Sequence, residues 1–307
     1  MSFAAVVMLA LKVSIALIVL GVGLNAKPSD LTYLLGHPAL FARSFLAMSV
    51  ILPLFTVWMA RVFDLLRPVK VALVALALAP VPPFLPTRVM KAGGTASYTV
   101  GLLSMTSLLA IVVIPVSLWV LGAVFDTPFA YDPAAVLKLV GLGVFAPLVV
   151  GVAIRHFAPA IADRLLKPIS LVATILLVAG SLALFVASWS AMKALLGNGT
   201  LLAIIVLAVV ALAVGHVLGG PSPDDRTVLS LSTASRHPAV AIALASAAFP
   251  NEKHASAAVL LDLIVVALVS MPYAEWARRR AHASHSPTPR TTVPPSRREE
   301  THRWHPR

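Results

Sequence analysis

The stretch Ser230-Leu231-Ser232-Thr233-Ala234-Ser235-Arg236-His237-Pro238 sets four hydroxyls, a fixed cation and a titratable imidazole between two apolar runs. An arginine inside such a run is costly, faces protein rather than lipid, and needs a partner. Pro238 is suited to open a new helix, whose positive end would point back at the break. Cation and dipole together suit an anionic group on a small solute. A static strut is the competing reading.

A second interruption lies earlier, at Ala79-Pro80-Val81-Pro82-Pro83-Phe84-Leu85-Pro86. Its prolines lack N–H donors and disfavour helix immediately before them. Non-helical backbone at membrane depth is tolerated only inside protein or beside a wet cavity, where freed carbonyls become coordinating groups. Pro86, Thr87, Arg88 and Lys91 follow the break. Arg88 and Lys91, three apart, share a helix face. They are placed either to meet an anion or to snorkel to headgroups. Thr99, Ser104, Thr106 and Ser107, with Ser97, are placed to line the same cavity or to bond their own helix backbone.

Asp262 is the one carboxylate well inside an apolar run. Arg236 is its natural partner, as a strut or as a pair that titrates during transport. His216 and His237 are further candidates for proton coupling, since histidine changes charge near neutral pH. His282, His285, His302 and His305 are scattered and do not make a metal site.

These residues need a membrane to position them. Of 307 residues, 59% are hydrophobic and 12% charged, against about 25% charged in soluble domains. Mean hydropathy is +0.92. Apolar windows of helical length fall at 3–25, 38–63, 67–92 (broken), 94–123, 135–157, 166–189, 199–219, 225–249 (broken) and 255–277. The runs lack alternation, which argues against a barrel. The expectation is an all-α polytopic membrane protein of about nine spans, with the first span retained rather than cleaved. Spans two to four run apolar, broken, long, and spans seven to nine repeat that order. Five spans separate counterparts, so they enter from opposite sides. That is an inverted repeat, a plan common in secondary transporters.

The net charge of +12 does not imply nucleic acid, because eight of the 24 Lys and Arg lie beyond Glu275. Arg278-Arg279-Arg280 directly after the last span predicts a cytoplasmic C-terminus, hence an N-terminus outside. Residues 281–307 read as a disordered basic tail. No cysteine is present, which removes disulfides, thiolate metal sites and cysteine nucleophiles. HExxH, GxSxG and P-loop motifs are absent too. No enzyme, metal or cofactor is expected.

From about Gly21 to Ala277 the chain resembles the bile acid:sodium symporter family. The resemblance rests on Gly21-Val22-Gly23-Leu24-Asn25-Ala26-Lys27-Pro28-Ser29-Asp30, on His37-Pro38 and Pro53, on Ala79-Pro80 through Gly94, and on Asp225-Arg226-Thr227 through Pro238. It implies a panel domain and a core domain of two inverted repeats, and uptake of organic anions driven by sodium. Mapped on this chain, 1–37 holds the first panel helix and a loop, 38–133 the first core repeat, and 134–198 two panel helices. The second core repeat is 199–280 and the tail 281–307. The inner (plasma) membrane of a bacterium is the expected location.

The resemblance also shows departures. Family sodium sites use a Ser-Asn pair shortly after a Pro-Gly-Gly in the first broken helix. Here Leu85-Pro86 and Val81-Pro82 stand there. A family carboxylate followed by a Gln-Asn pair is represented by Ser232 and Arg236-His237. The sodium sites therefore read as degraded. The expected function is alternating-access transport of a small organic anion, with sodium, a proton or no ion coupled to it. A membrane sensor or scaffold that has lost transport is the other reading. Oligomeric state is not legible in the sequence.

Overall fold

Proline punctuates this chain. Pro38, Pro68, Pro86, Pro147, Pro159, Pro223 and Pro238 each occupy one of the first two positions of a helix. There the missing N–H costs nothing and the fixed φ is already helical. The computed structural model describes residues 3–26, 28–82, 84–125, 138–249, 251–252 and 254–285. Among them every regular element is helical.

The main elements are α1 (Phe3–Asn25), α2 (Pro38–Val62), α3 (Arg67–Leu78), α4 (Leu85–Lys91), α5 (Ala96–Phe125) and α6 (Ala146–Phe157). They continue as α7 (Pro159–Ala194), α8 (Thr200–Leu218), α9 (Pro223–Ala234), α10 (Pro238–Ala248) and α11 (Ala255–His285). Each apolar window of the sequence holds helix where it is described. Both expected breaks are present, between α3 and α4 and between α9 and α10. Four helical stretches are long and apolar enough to cross a membrane: Pro38–Val62, Pro159–Ala194, Thr200–Leu218 and Ala255–Ala283. Shorter apolar stretches run over Leu9–Asn25 and Gly141–Phe157.

Two expectations need correction. The helix expected over 166–189 runs over Pro159–Ala194, starting at Pro159 and continuing through an interior proline, Pro168. The tail does not lose structure at 281, since α11 continues to His285. Arg278 and Arg279 reach back to Glu275 one turn earlier, at 2.6 and 2.9 Å, and support that extension. The boundary drawn at 133 and 134, with Pro83 and most of the tail, including His302 and His305, lies outside the described residues.

Two stretches, Leu46–Ile51 and Lys138–Phe145, are π-helical. Each ends two residues before a proline, Pro53 or Pro147. In the first, Leu52 N–H reaches back five residues to the Ala47 carbonyl. The next donor in that pattern would come from Pro53, which has none. The Met48 carbonyl is left to find another partner.

α1 packs along α6 and α7, and α8 packs along α9. Glycine makes both contacts close. A Cβ on Gly23 would lie 2.4 Å from the Leu148 carbonyl oxygen, and one on Gly151 would lie 2.5 Å from that of Leu20. On α8, Gly215 and Gly219 form a G-x-x-x-G face against Ser230 and Arg226 of α9. α3 and α9 are buried along most of their length. By contrast α7 exposes Leu171, Ile175, Val178, Leu182 and Val186 along one side. Such a continuous apolar face suits lipid rather than water. The chain is an integral membrane protein.

Candidate functional site

The two breaks meet. His237 N–H donates to the Pro80 carbonyl oxygen at 2.9 Å, joining residues of opposite halves of the chain. Arg236 Nη1 donates to the Ala79 carbonyl at 3.2 Å, and Arg236 Nη2 to the Met48 carbonyl at 2.7 Å. The two acceptors of Arg236 are free for a proline-related reason. In a continuous helix the Ala79 carbonyl would be bonded by residue 83, a proline without an N–H. Met48 lost its partner at Pro53. The second break thus supplies the donors that prolines removed from the first break and from α2.

Burial makes this arrangement consequential. Arg236 is 9% exposed, His237 3% and Ser232 1%. Among the described residues Arg236 Nε, His237 Nδ1 and Ser232 Oγ have no hydrogen-bond partner. A buried donor or acceptor left unmade costs about 1–3 kcal/mol. Three such atoms within six residues mark a place where a polar ligand or water belongs. Thr233 differs, because its hydroxyl donates to the Leu229 carbonyl of its own helix at 2.7 Å. Ser235 is buried at the C-cap of α9, in extended conformation.

Small cavities flank the guanidinium. One of about 20 Å³ is lined by Ser49, Pro53, Ala77, Pro80, Thr106 and Arg236. The other, about 10 Å³, has Arg236 and Asp262 in its wall. Each is on the scale of a single water. Arg236 and Asp262 nonetheless form no ion pair. Among the described residues Asp262, 7% exposed, has no ion-pair partner. The direct pairing expected from the sequence is absent, because the guanidinium is held by the Ala79 and Met48 carbonyls.

The remaining candidates fall in other places. Pro86 is buried in the first turn of α4. Thr87 is exposed and bonds the Phe84 carbonyl. Lys91 is exposed. Arg88 neither snorkels nor meets the crossing: its Nη2 donates to the Ala267 carbonyl at 3.1 Å and to Ser270 Oγ at 2.8 Å, both on α11. On α5, Thr99, Ser104 and Thr106 each donate to the carbonyl four residues back, the backbone option weighed from sequence. The Ser107 side chain lies outside the described residues. His216 Nδ1 pairs with Tyr273 Oη at 2.8 Å, and Tyr273 donates on to Ser230 Oγ at 2.8 Å, tying α8, α9 and α11 together. Among the described residues no three His, Asp or Glu side chains converge as a metal site would require.

A larger cavity of about 340 Å³ lies between α1 and α7 on one side and α4 and α5 on the other. Its size is within the range of small-molecule sites. Asn25, Asp30, Thr87, Ser170 and Thr174 give it polar edges, and Ile18, Val22 and Phe84 are among its apolar walls. Of the sequence candidates only Thr87 lines it. Sequence reasoning missed Met48, Tyr273 and Ser270. Met48 had one signal, Pro53 inside an apolar span. Tyr273 and Ser270 had none, since their partners are set by packing alone.

Interrupted helices crossing at a buried polar point, within an apolar helical body, are consistent with a secondary-transporter fold. The Sodium Bile acid symporter family matches residues 12–195, more than half of the chain, and the chain belongs to that family. Its members are transporters and not enzymes. No curated protein matches the sequence.

Proposed function

We propose that this protein moves a small organic anion across the membrane by alternating access, with the Arg236 guanidinium in the place of a bound sodium ion. The observation that carries the reading is the cage around Arg236. Carbonyl oxygens ordinarily ligate a hard cation. Here those of Ala79 and Met48 hold a cation that belongs to the chain. A tethered charge needs no sodium gradient to occupy its site. Arg236 Nε, Ser232 Oγ and His237 Nδ1 are the groups free to receive the anion. Any coupling then falls to protons, through Asp262, His216 or His237, or the carrier is a uniporter.

The same reading threads the chain through nine spans of the bacterial inner membrane, with an external N-terminus and a cytoplasmic C-terminus. α1, α6 and α7 form the panel. α2 to α5 and α8 to α11 form the two inverted core repeats, and residues past the last helix form the tail. Contacts between distant loops support it. Arg67 and Glu252, 3.0 Å apart, join two loops assigned to the outer face. Thr95 with Asp225 at 2.7 Å, and Arg155 with the Leu24 carbonyl, join segments assigned to the inner face.

Uptake of amphipathic carboxylates and sulfonates into proteoliposomes, with sodium or potassium outside, tests the proposal. Uptake that is equal in both salts and is lost in Arg236→Ala is the expected result. Strong dependence on sodium overturns it. Absence of flux for every anion favours a sensor.

A further inference from the structure

Arg236 and Asp262 share one small apolar cavity without touching. The other residues in its wall include Leu52, Leu76, Ala211, Ala234 and Val266, and none of the rest carries a charge or a polar side chain. The cavity holds about 10 Å³, room for about one water. The guanidinium itself bonds the Ala79 and Met48 carbonyls. Nε, the atom nearest the side-chain stem, bonds neither carbonyl and has no partner among the described residues. Opposite charges in such a setting attract with little screening.

We propose that Asp262 is a second station for Arg236: the guanidinium exchanges its two carbonyl bonds for the carboxylate of α11, and the exchange unlocks the crossing. Each station offers the guanidinium charge-assisted hydrogen bonds to oxygen. They differ in what they tie together. In the carbonyl station Arg236 fastens the second break to α2 and to the first break. In the carboxylate station it fastens the second break to α11 and leaves the Ala79 and Met48 oxygens to water or ligand. The backbone permits the swing, since Ser235 and His237 are extended rather than helical. Asp262 acts here as a positioning residue, through Arg236. The inference rests on the proposed function only in placing transport at this crossing, and its test requires no flux.

The chain has no cysteine, so a single thiol reports without background. Ala77 lines both cavities beside Arg236 and is 3% exposed. Alkylation of Ala77→Cys by maleimide in purified, detergent-solubilised protein therefore counts openings of the crossing. Asp262→Asn should slow alkylation by about threefold or more, within the coupling seen between interacting groups. Asp262→Glu should restore most of the rate. In an Arg236→Gln background the Asp262→Asn effect should vanish. Equal or faster alkylation in Asp262→Asn, or an effect that persists without Arg236, overturns the proposal. If Asp262→Asn does not fold, the rate in Asp262→Glu decides. Glutamate keeps the second station and should stay within about twofold of the parent, and a larger change overturns the proposal. Sodium-driven uptake with this coupling intact would overturn the proposed function and leave the two stations standing.

Discussion

Arg236 fills positions that two missing N–H groups left open, those of Pro53 and Pro83. Replacing it by glutamine removes a charge that bonds two carbonyls and strands both oxygens in the interior. Each hydrogen bond to a charged group contributes about 1.5–3 kcal/mol. We expect Arg236→Gln to lower the stability of the purified protein by about 3 kcal/mol, read as a fall in melting temperature in detergent. A change under about 1 kcal/mol would mean that the cage contributes little. Tyr273 belongs at the same scale. Its hydroxyl links His216 to Ser230 across three helices. Hydrogen bonds between membrane helices average about 0.6 kcal/mol. Tyr273→Phe should therefore cost about 1 kcal/mol and leave the aromatic contact with Trp276 in place. Melting curves of that variant beside the parent will show it.

Helices carry the next set of consequences. Pro53 sets the π turn of α2 and thereby frees Met48. Pro53→Ala returns an N–H that competes for the Met48 carbonyl. Alkylation of a cysteine at Ala77 should then quicken, because one strand of the Arg236 cage is loosened. An unchanged rate would argue that Met48 does not restrain the crossing. The close pair Gly23 and Gly151 predicts differently. A methyl at either position meets backbone, which cannot move aside as a side chain can. Gly151→Ala should separate α1 from α6 and cost about 2 kcal/mol, measured by melting in detergent. At this scale the sequence was readable where proline and hydropathy acted locally. Both breaks and the helices around them could be placed from Pro80, Pro82, Pro86 and Pro238 alone. Partner choice was not readable. Arg88 looked free for an anion or the headgroups, yet it bonds α11, 179 residues away. Asp262 looked paired, yet Arg236 turns to two carbonyls, one freed by a π turn and the other by the proline break. The hydroxyls of α5 were ambiguous because either choice satisfies them, and those of Thr99, Ser104 and Thr106 bond their own backbone.

For the whole molecule the prediction concerns sidedness. If nine spans thread the bilayer as proposed, exposed positions Gly197 and Asn251 face outward and exposed Ala160 faces the cytoplasm. Single cysteines at the first two should react with an impermeant maleimide on intact cells stripped of their outer barrier. A cysteine at Ala160 should react only after the membrane is opened. Reversed labelling would turn the protein over, and labelling of all three would remove a span.

The bonds at the crossing also set a timetable for biosynthesis. Arg236 lies 157 residues after Ala79 and 188 after Met48. At about 5–20 residues per second, the ribosome takes roughly 8–40 s to cover that distance. Through that interval the nascent first half carries three carbonyls whose donors do not yet exist. A chain stopped before residue 236 never receives them and presents a polar wound within the bilayer, the kind of defect that membrane quality control removes. The most polar joint of the protein is thus among the last to close.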